Sequence, residues 1–295
     1  MRTALIQYNP TVGDIAQNAA KMAILADRAR ADGAELLVFP ELAICGYPPR
    51  DLLLHEGFLR ACVDASKRLG EAHSAGCTLV FGTPLPVDKN HPQRGTANSL
   101  LAWRDGAMID YYDKRLLPTY DVFDEDRYFE PGARAVVIDV PTGSGVCSVG
   151  LAICEDLWKG EDAGFASRYA NDPDPVAELV KAGAQAIVSS SASPFVLGKG
   201  AHHREILCAH AQKHAIPIAS VNQVGGNDDL VFDGHAVAYN SQGKPLAFGP
   251  GFTEAITMVD LLPAQNPSAH HPPEPTHAHF PHRSAAQRTS HGTAL

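Results

Sequence analysis

Short apolar segments alternate with helical patterns along most of this chain, and this alternation restricts its fold more than any other feature. The apolar segments have the β-branched composition and the length of buried strands. They cover residues 4–8, 35–40, 78–84, 148–154, 185–191 and 216–223. Helical patterns lie between them, as in proteins whose strands are covered by layers of helices. The sequence therefore predicts an α/β fold.

The helical segments are marked by capping residues and by apolar residues three to four positions apart. Asp14 is a typical N-cap, apolar residues then recur at helical spacing, and Gly33 ends the pattern. Further helices are predicted at 56–74, 174–182 and 200–214.

Other segments are typical of hairpins rather than of parallel strands. Residues 98–114 flank an Asp-Gly pair at 105–106, and residues 235–248 flank a Gln-Gly pair at 242–243. The sheet is therefore predicted to be mixed. Beyond Leu262 the sequence is rich in Pro and His and poor in periodic apolar residues, so it cannot offset the entropy of ordering. We expect a folded domain over 1–262 and a disordered tail over 263–295, in which metal binding by histidines stays an alternative.

Charge and hydropathy exclude several classes of partner. The formal net charge is -9 and the isoelectric point is about 5.8, whereas binders of nucleic acid or anionic membranes present basic surfaces. No segment has the apolar length of a membrane span, and the N-terminal residues lack the pattern of a signal peptide. We expect a cytoplasmic protein that acts on small molecules, with its six scattered cysteines as free, mostly buried thiols.

Three side chains are candidates for catalysis. Cys154 ends the apolar strand and would be a nucleophile if a base accepted its proton; the alternative is a small buried apolar residue. Glu41 follows another buried strand and is a candidate base, although it could simply start a helix. Lys114 follows the first hairpin and could stabilise an oxyanion, or could be solvated.

The segments around these residues resemble a known family. VFPELAICGYPP, YYDKRLLP and GLAICEDLW resemble, in order and spacing, the Glu, Lys and Cys motifs of the nitrilase-like carbon-nitrogen hydrolase superfamily. The resemblance extends from residue 3 to about residue 260. It implies a four-layer α-β-β-α sandwich and a homo-oligomer.

The resemblance also implies roles for individual residues. Cys154 would attack an amide carbon, Glu41 would act as base, and Lys114 with the backbone N–H of Glu155 would hold the oxyanion. Many members have a second glutamate shortly after the lysine. Glu125 is assigned that role, in a segment that is crowded with other carboxylates.

Within the superfamily, QYNPTVGDIAQN and VNQVGGNDDLVFDG are similar to the glutaminase domain of glutamine-dependent NAD+ synthetases. This similarity implies that the α-amino and carboxylate groups of glutamine would contact Tyr47, Glu155, Trp158, Ser193 and Lys199. Core packing of Trp158 and a simple turn at Ser193 remain alternatives.

No cofactor or metal is expected in this domain. The Gly-Gly pair at 225–226 lacks a phosphate-loop pattern and is interpreted as a turn, and the histidines lack the spacing of metal ligands. ATP and Mg would belong to the synthetase domain that follows in the resembled enzymes. Its Ser-Gly-Gly-x-Asp-Ser loop is not in this sequence, which leaves three alternatives open: truncation, a frameshift, or a separate ammonia-dependent synthetase as partner.

Three functions therefore remain open at this point. The chain could hydrolyse glutamine as the glutaminase part of NAD+ synthesis, act as a stand-alone amidase or nitrilase on another small amide, or be a non-catalytic remnant without its synthetase domain. The joint presence of Glu41, Lys114, Cys154 and Glu125 favours an enzyme that acts on glutamine.

Overall fold

The computed structural model describes residues 1–87, 95–159 and 169–264. The strands are β1 (Arg2–Gln7), β2 (Leu36–Val38), β3 (Thr78–Pro86), β4 (Thr96–Arg104), β5 (Ala107–Asp113), β6 (Val137–Thr142), β7 (Gly145–Ile153), β8 (Ala186–Ser191), β9 (Ile218–Asn222), β10 (Val224–Asn227), β11 (Leu230–Asp233), β12 (Val237–Tyr239), β13 (Pro245–Phe248) and β14 (Ala255–Asp260). The α-helices are α1 (Ile15–Ala31), α2 (Glu56–His73), α3 (Pro175–Lys181) and α4 (Lys199–His214). Residues 265–295, and with them nearly all of the predicted tail, lie outside the described residues.

The strands of the described chain form two mixed six-stranded sheets and one small hairpin. The first sheet has the order β14-β1-β2-β3-β4-β5, and the second has the order β13-β12-β9-β8-β7-β6. Neighbouring strands are parallel from β1 to β3 and from β7 to β9, and antiparallel towards the edges. The hairpin pairs β10 with β11.

Three apolar layers separate the sheets and helices. One lies between the first sheet and helices α1 and α2, and includes Met22 and Phe81. The second lies between the sheets, where Val38 and Val188 are fully buried. The third lies between the second sheet and helices α3 and α4, and includes Leu207. This arrangement is the expected four-layer α-β-β-α sandwich.

Most of the predicted elements are confirmed. The six apolar segments form β1, β2, β3, β7, β8 and β9, the four helices begin and end within a few residues of their predicted bounds, and both hairpins are present. Strands β6, β10 and β11 were not predicted. The described cysteines are free, and all but the partly buried Cys208 are buried, as expected. None of the described helices has the length and apolar character needed to cross a membrane.

The interpretation of the Gly-Gly pair at 225–226 as a turn is wrong. Both glycines lie in β10, and the turn of the hairpin falls at 228–229. A Cβ on Gly225 would lie 2.0 Å from Oδ1 of Asn9, and the φ of Gly225 is +111°. The glycine is required by a close approach of another side chain and by its backbone conformation.

Candidate active site

Cys154 lies on a strained turn directly after β7. Its φ is +41°, in the left-handed region that residues other than glycine rarely adopt, and it opens a short 3₁₀ helix, Cys154–Leu157. Burial raises the pKa of its thiol, and the charge of Glu41 raises it further, against the opposing charges of Lys114 and Lys199. The thiol is therefore protonated at rest and needs a base before it can attack.

Glu41 is a buried carboxylate whose two oxygens are both fixed. It follows Pro40 in the turn after β2 and is 1% exposed. Its Oε1 accepts from Nδ2 of Asn98 at 2.7 Å and from Nζ of Lys114 at 2.7 Å, and its Oε2 accepts from the backbone N–H of Ala192 at 2.9 Å. The carboxylate consequently has a defined orientation next to the thiol.

Gly82 in β3 makes room for this turn. A Cβ at that position would lie 2.2 Å from the backbone nitrogen of Leu42 and 2.8 Å from the Cα of Glu41. Any side chain there would displace the backbone that carries Glu41. The strand therefore has a glycine where sheet packing alone would favour a larger residue.

Lys114 is a buried cation between two carboxylates. It follows β5, is 1% exposed, and donates from Nζ to Oε1 of Glu41 at 2.7 Å and to Oε1 of Glu125 at 2.8 Å. Burial alone would lower the pKa of Lys114, but the charges of Glu125 and Glu41 raise it well above its usual value. Lys114 is therefore not a solvated lysine, and Glu41 is not an exposed residue at the start of a helix.

Glu125 lies among several acidic residues, and its carboxylate accepts a hydrogen bond from Lys114. Its backbone N–H donates to the carbonyl of Pro118, and its Oε1 accepts from Tyr47 Oη at 2.8 Å as well as from Lys114. Burial raises the pKa of Glu125 to about 7, although Lys114 and Tyr47 both favour its charged form. Tyr47 and Glu125 also border a cavity of about 270 Å³. Cys154, Glu41 and Lys114 do not line this cavity.

Glu155 forms a second polar cluster with two tyrosines. It is 3% exposed, and its carboxylate accepts from the hydroxyl groups of Tyr120 at 3.0 Å and Tyr169 at 2.6 Å. Its charge is one of those that raise the pKa of Cys154, which places it near the thiol. A carboxylate in this position can accept a hydrogen bond from an ammonium group.

Trp158 and Lys199 lie together at the start of α4. Trp158 is buried and stacks on His203, with ring centroids 5.8 Å apart and an interplanar angle of 1°. Nζ of Lys199 is 5.8 Å from the centroid of the Trp158 ring and 5.5 Å from that of Phe123. Trp158 therefore packs against the helix and also borders the lysine, and its contact with a substrate stays a prediction.

Ser193 lies in a turn that is held by a buried amide. Its backbone N–H donates to Oδ1 of Asn222 at 2.8 Å, and its carbonyl accepts from Nδ2 of Asn222 at 3.0 Å. Ser193 and Lys199 line the same small cavity, of about 30 Å³. The backbone N–H of the preceding Ala192 is the donor to Glu41, so this turn also orients the carboxylate.

Several polar residues of the site were not predicted from the sequence, namely Asn98, Tyr120, Asp156, Tyr169 and Asn222. Each acts through a partner in a distant segment, and none has a recognisable local motif. Within the described residues, no group of three His, Cys, Asp or Glu side chains is arranged to hold a metal ion. The arrangement provides a thiol, a base, a fixed cation and charged groups for a ligand, which suits acyl transfer.

Known proteins share this arrangement of elements. The structure resembles the glutamine-dependent NAD+ synthetase of Acinetobacter baumannii with a TM-score of 0.76 and 30% identity, over 90% of this chain and 48% of that chain. It also resembles an amidase of the nitrilase superfamily from Nesterenkonia AN1 with a TM-score of 0.72 and 25% identity, over 88% of this chain and 90% of that one.

Curated sequences agree with the structural comparison. The chain is 41% identical over 260 residues to a glutamine-dependent NAD(+) synthetase of Synechocystis sp., which covers 87% of this chain and 45% of that relative. It is 36% identical over 264 residues to the Thermotoga maritima protein of the same name, over 88% of this chain and 42% of the relative. The chain thus spans less than half the length of these relatives. Residues 2–265 match the carbon-nitrogen hydrolase model, and the chain belongs to the carbon-nitrogen hydrolase family.

Proposed function

We propose that this chain hydrolyses the side-chain amide of glutamine to glutamate and ammonia through a thioester on Cys154. The observation that carries the proposal is the buried network in which Lys114 bridges Glu41 and Glu125 beside the thiol. The names of the relatives support glutamine as the amide donor.

The first half-reaction forms the thioester. Sγ of Cys154 attacks the carboxamide carbon while Glu41 accepts the thiol proton, because the raised pKa of the thiol disfavours a free thiolate at rest. Lys114 and the backbone N–H of Glu155 stabilise the negative oxygen of the tetrahedral intermediate. Glu41 then passes its proton to the amide nitrogen, the carbon-nitrogen bond breaks, and ammonia leaves.

The second half-reaction uses the same groups with water. Glu41 removes a proton from a water molecule, whose oxygen attacks the thioester carbon, and Lys114 again stabilises the oxyanion. The carbon-sulfur bond breaks, the proton returns to Sγ of Cys154, and glutamate leaves. Because Glu41 serves both half-reactions, its fixed orientation by Asn98 and Ala192 is part of the mechanism.

The charged groups around the thiol suit an amino-acid substrate. Glu155 would accept from the α-amino group, and Lys199 with Ser193 would bind the carboxylate at the small cavity they share. Tyr120 and Tyr169 would keep Glu155 in place between turnovers. An uncharged amide could use neither anchor.

The ammonia would supply a separate ammonia-dependent synthetase in NAD+ synthesis, a role supported by relatives about twice as long as this chain. ATP and Mg would act in that synthetase. The homo-oligomer implied by the family stays a prediction, which light scattering tests.

A second candidate substrate is a small uncharged amide. This candidate is favoured because the chain and the Nesterenkonia amidase are similar over nearly the whole length of both proteins. A mutant of that amidase carries the acetamide moiety of fluoroacetamide on its active-site cysteine.

Substrate preference distinguishes the two candidates. We expect glutamine to be hydrolysed with a kcat/KM at least about 100-fold above that of butyramide, since each lost buried polar anchor costs about 1 to 3 kcal/mol. Glu155→Gln should raise KM for glutamine about 10- to 100-fold. Loss of its charge acts on the pKa of Cys154 with either substrate, so the decisive result is a larger fall in kcat/KM for glutamine than for butyramide. Ammonia release by the purified protein measures both. A higher kcat/KM for butyramide would assign the chain to the second candidate.

The pH dependence should report on Glu125. We expect kcat/KM to rise with pH through an ionisation near pH 7, because ionised Glu125 is the better acceptor for Lys114. Tyr47→Phe removes a hydrogen bond that lowers the pKa of Glu125, so the ionisation should move to higher pH. Glu125→Gln should eliminate it.

The matched control for this series is Tyr128→Phe. Tyr128 lines the same cavity as Tyr47, but its hydroxyl donates to the surface residue Asp51. The control should keep the wild-type pH profile. The ionisation near pH 7 would not belong to Glu125 if it moved to lower pH in Tyr47→Phe, or if kcat/KM still rose through the same pH range in Glu125→Gln.

A further inference from the structure

Asp156 is a fully buried carboxylate that no step of the proposed mechanism uses. Its Oδ1 accepts from the two backbone N–H groups that follow Lys114, those of Arg115 at 3.1 Å and Leu116 at 2.9 Å. Its Oδ2 accepts from the hydroxyl of Tyr112 at 2.7 Å, two residues before the lysine. The carboxylate thus holds the backbone after Lys114 and a tyrosine side chain before it.

The same carboxylate also holds the turn of Cys154. Its Oδ2 accepts from the backbone N–H of Ile153 at 2.9 Å, across the residue whose φ is +41°. This contact closes the short 3₁₀ turn that presents the thiol. Asp156 therefore joins the last residues of β5 in the first sheet to the end of β7 in the second.

The chemistry of these contacts requires a carboxylate. The four groups that hydrogen-bond to Asp156 are neutral donors, and the guanidinium of Arg115 contacts Glu178 instead, at 2.8 Å. A carboxylate only accepts hydrogen bonds, whereas the amide of asparagine would direct its own N–H₂ at one pair of donors. Burial raises the pKa of Asp156, whereas these hydrogen bonds and the charge of Lys114 lower it. Burying a carboxylate is costly, so this set of four hydrogen bonds, the Asp156 clamp, is expected to serve the position of the two segments that it holds.

We propose that Asp156 is a positioning residue that sets the separation between the ammonium group of Lys114 and the thiol of Cys154. It neither contacts substrate nor transfers a proton, since both of its oxygens are occupied by donors from the two segments. The kinetic consequences rest on the proposed function, whereas the consequence for thiol reactivity does not.

The kinetic test is Asp156→Asn, a substitution that keeps the volume of the side chain. We expect kcat for glutamine to fall about 30- to 300-fold, approaching the loss of an oxyanion donor, with KM within about threefold of wild type. Binding of the amino-acid end groups depends on the side chains of Glu155 and Lys199, whereas the Asp156 carboxylate hydrogen-bonds to Tyr112, Arg115, Leu116 and Ile153. A merely destabilised protein would lose active fraction and melt earlier, which circular dichroism and active-site titration would detect.

The rate at which iodoacetamide alkylates Cys154 gives a second test, because positioning and simple loss of charge change this rate in opposite directions. Removal of a negative charge near Cys154 would by itself favour the thiolate and speed alkylation. Displacement of Lys114 acts the other way, because its charge lowers the pKa of a thiol that burial and Glu41 raise. We expect iodoacetamide to modify Cys154 at least about threefold more slowly in Asp156→Asn, with the pH profile shifted upward. Mass spectrometry assigns the modification to Cys154.

Further variants separate positioning from other effects. In a Lys114→Ala background, Asp156→Asn should cause no additional slowing of alkylation, because the two act through one contact. Tyr112→Phe removes one hydrogen-bond donor to Asp156 and keeps the ring, so it should slow alkylation of Cys154 by about twofold. If Asp156→Asn does not fold, this variant tests whether Asp156 positions Lys114. Asp139→Asn is the matched control, since Asp139 accepts from Ser148 between β6 and β7, and it should leave alkylation unchanged.

The outcomes distinguish this proposal from the proposed function. Wild-type protein that releases no ammonia but shows slower alkylation in Asp156→Asn would refute the function and support the clamp. The clamp would be overturned, whatever the substrate, if Asp156→Asn left alkylation of Cys154 unchanged or made it faster. It would also be overturned if the effects of Asp156→Asn and Lys114→Ala on the alkylation rate were fully additive.

Discussion

Cys154→Ala is expected to abolish ammonia release from glutamine and to leave the fold almost unchanged. Cys154 carries the thiol that we propose forms the thioester, so kcat should fall by at least about 10⁴-fold, as for other nucleophiles that act as part of a unit. The substitution removes one buried sulfur atom, so the free energy of unfolding should change by about 1 kcal/mol.

The measurement compares ammonia release and urea unfolding for wild type and variant. Cys147→Ala is the matched control: Cys147 is also buried, lies in β7, and belongs to the same apolar layer between the sheets as Cys154. It should lose stability and keep its turnover per folded molecule. Ammonia release by Cys154→Ala above the uncatalysed rate would show that another group is the nucleophile.

Glu41→Gln should be almost as damaging. Glutamine can still accept from Lys114 and Asn98, but it cannot accept a proton, and its N–H₂ would face the N–H of Ala192. Because the base serves both half-reactions, we expect kcat to fall about 10³- to 10⁴-fold. The loss should appear already in the first turnover.

Rapid-quench measurement of the first equivalent of ammonia tests this expectation. Glu254→Gln is a suitable control, since Glu254 is a partly exposed carboxylate that pairs with Lys21 away from the thiol. It should behave as wild type. A Glu41→Gln variant within about threefold of wild-type kcat would show that another group is the base.

The residues that sequence reasoning placed correctly in space are those whose position is a local property. Glu41 and Cys154 each follow an apolar strand, and parallel strands bring such ends to one edge of a sheet. The two strands belong to different sheets, so the pairing of Glu41 with Cys154 did not follow from spacing and came from the family resemblance. In the structure the charge of Glu41 raises the pKa of the Cys154 thiol. Glu125 was chosen among several carboxylates by the same resemblance, and the structure places it on Lys114.

The residues that were missed depend on pairing between distant segments. Asn98 reaches Glu41 from 57 residues away, and Asp156 reaches Leu116 from 40. In the sequence, Asn98 is a polar residue near a hairpin strand and Asp156 is one of two acidic residues after a cysteine. A single sequence carries no record of such contacts, so only the three-dimensional arrangement identifies them.

Gly82 has a consequence for attempts to stabilise this protein. Glycine inside a strand costs about 0.5 to 1 kcal/mol relative to alanine, so a redesign ranked by strand propensity would replace it first. A Cβ there would meet the backbone of Leu42 at 2.2 Å and push the Glu41 turn away from the thiol. The replacement would therefore lower both stability and turnover, so a ranking by strand propensity alone would fail at this position.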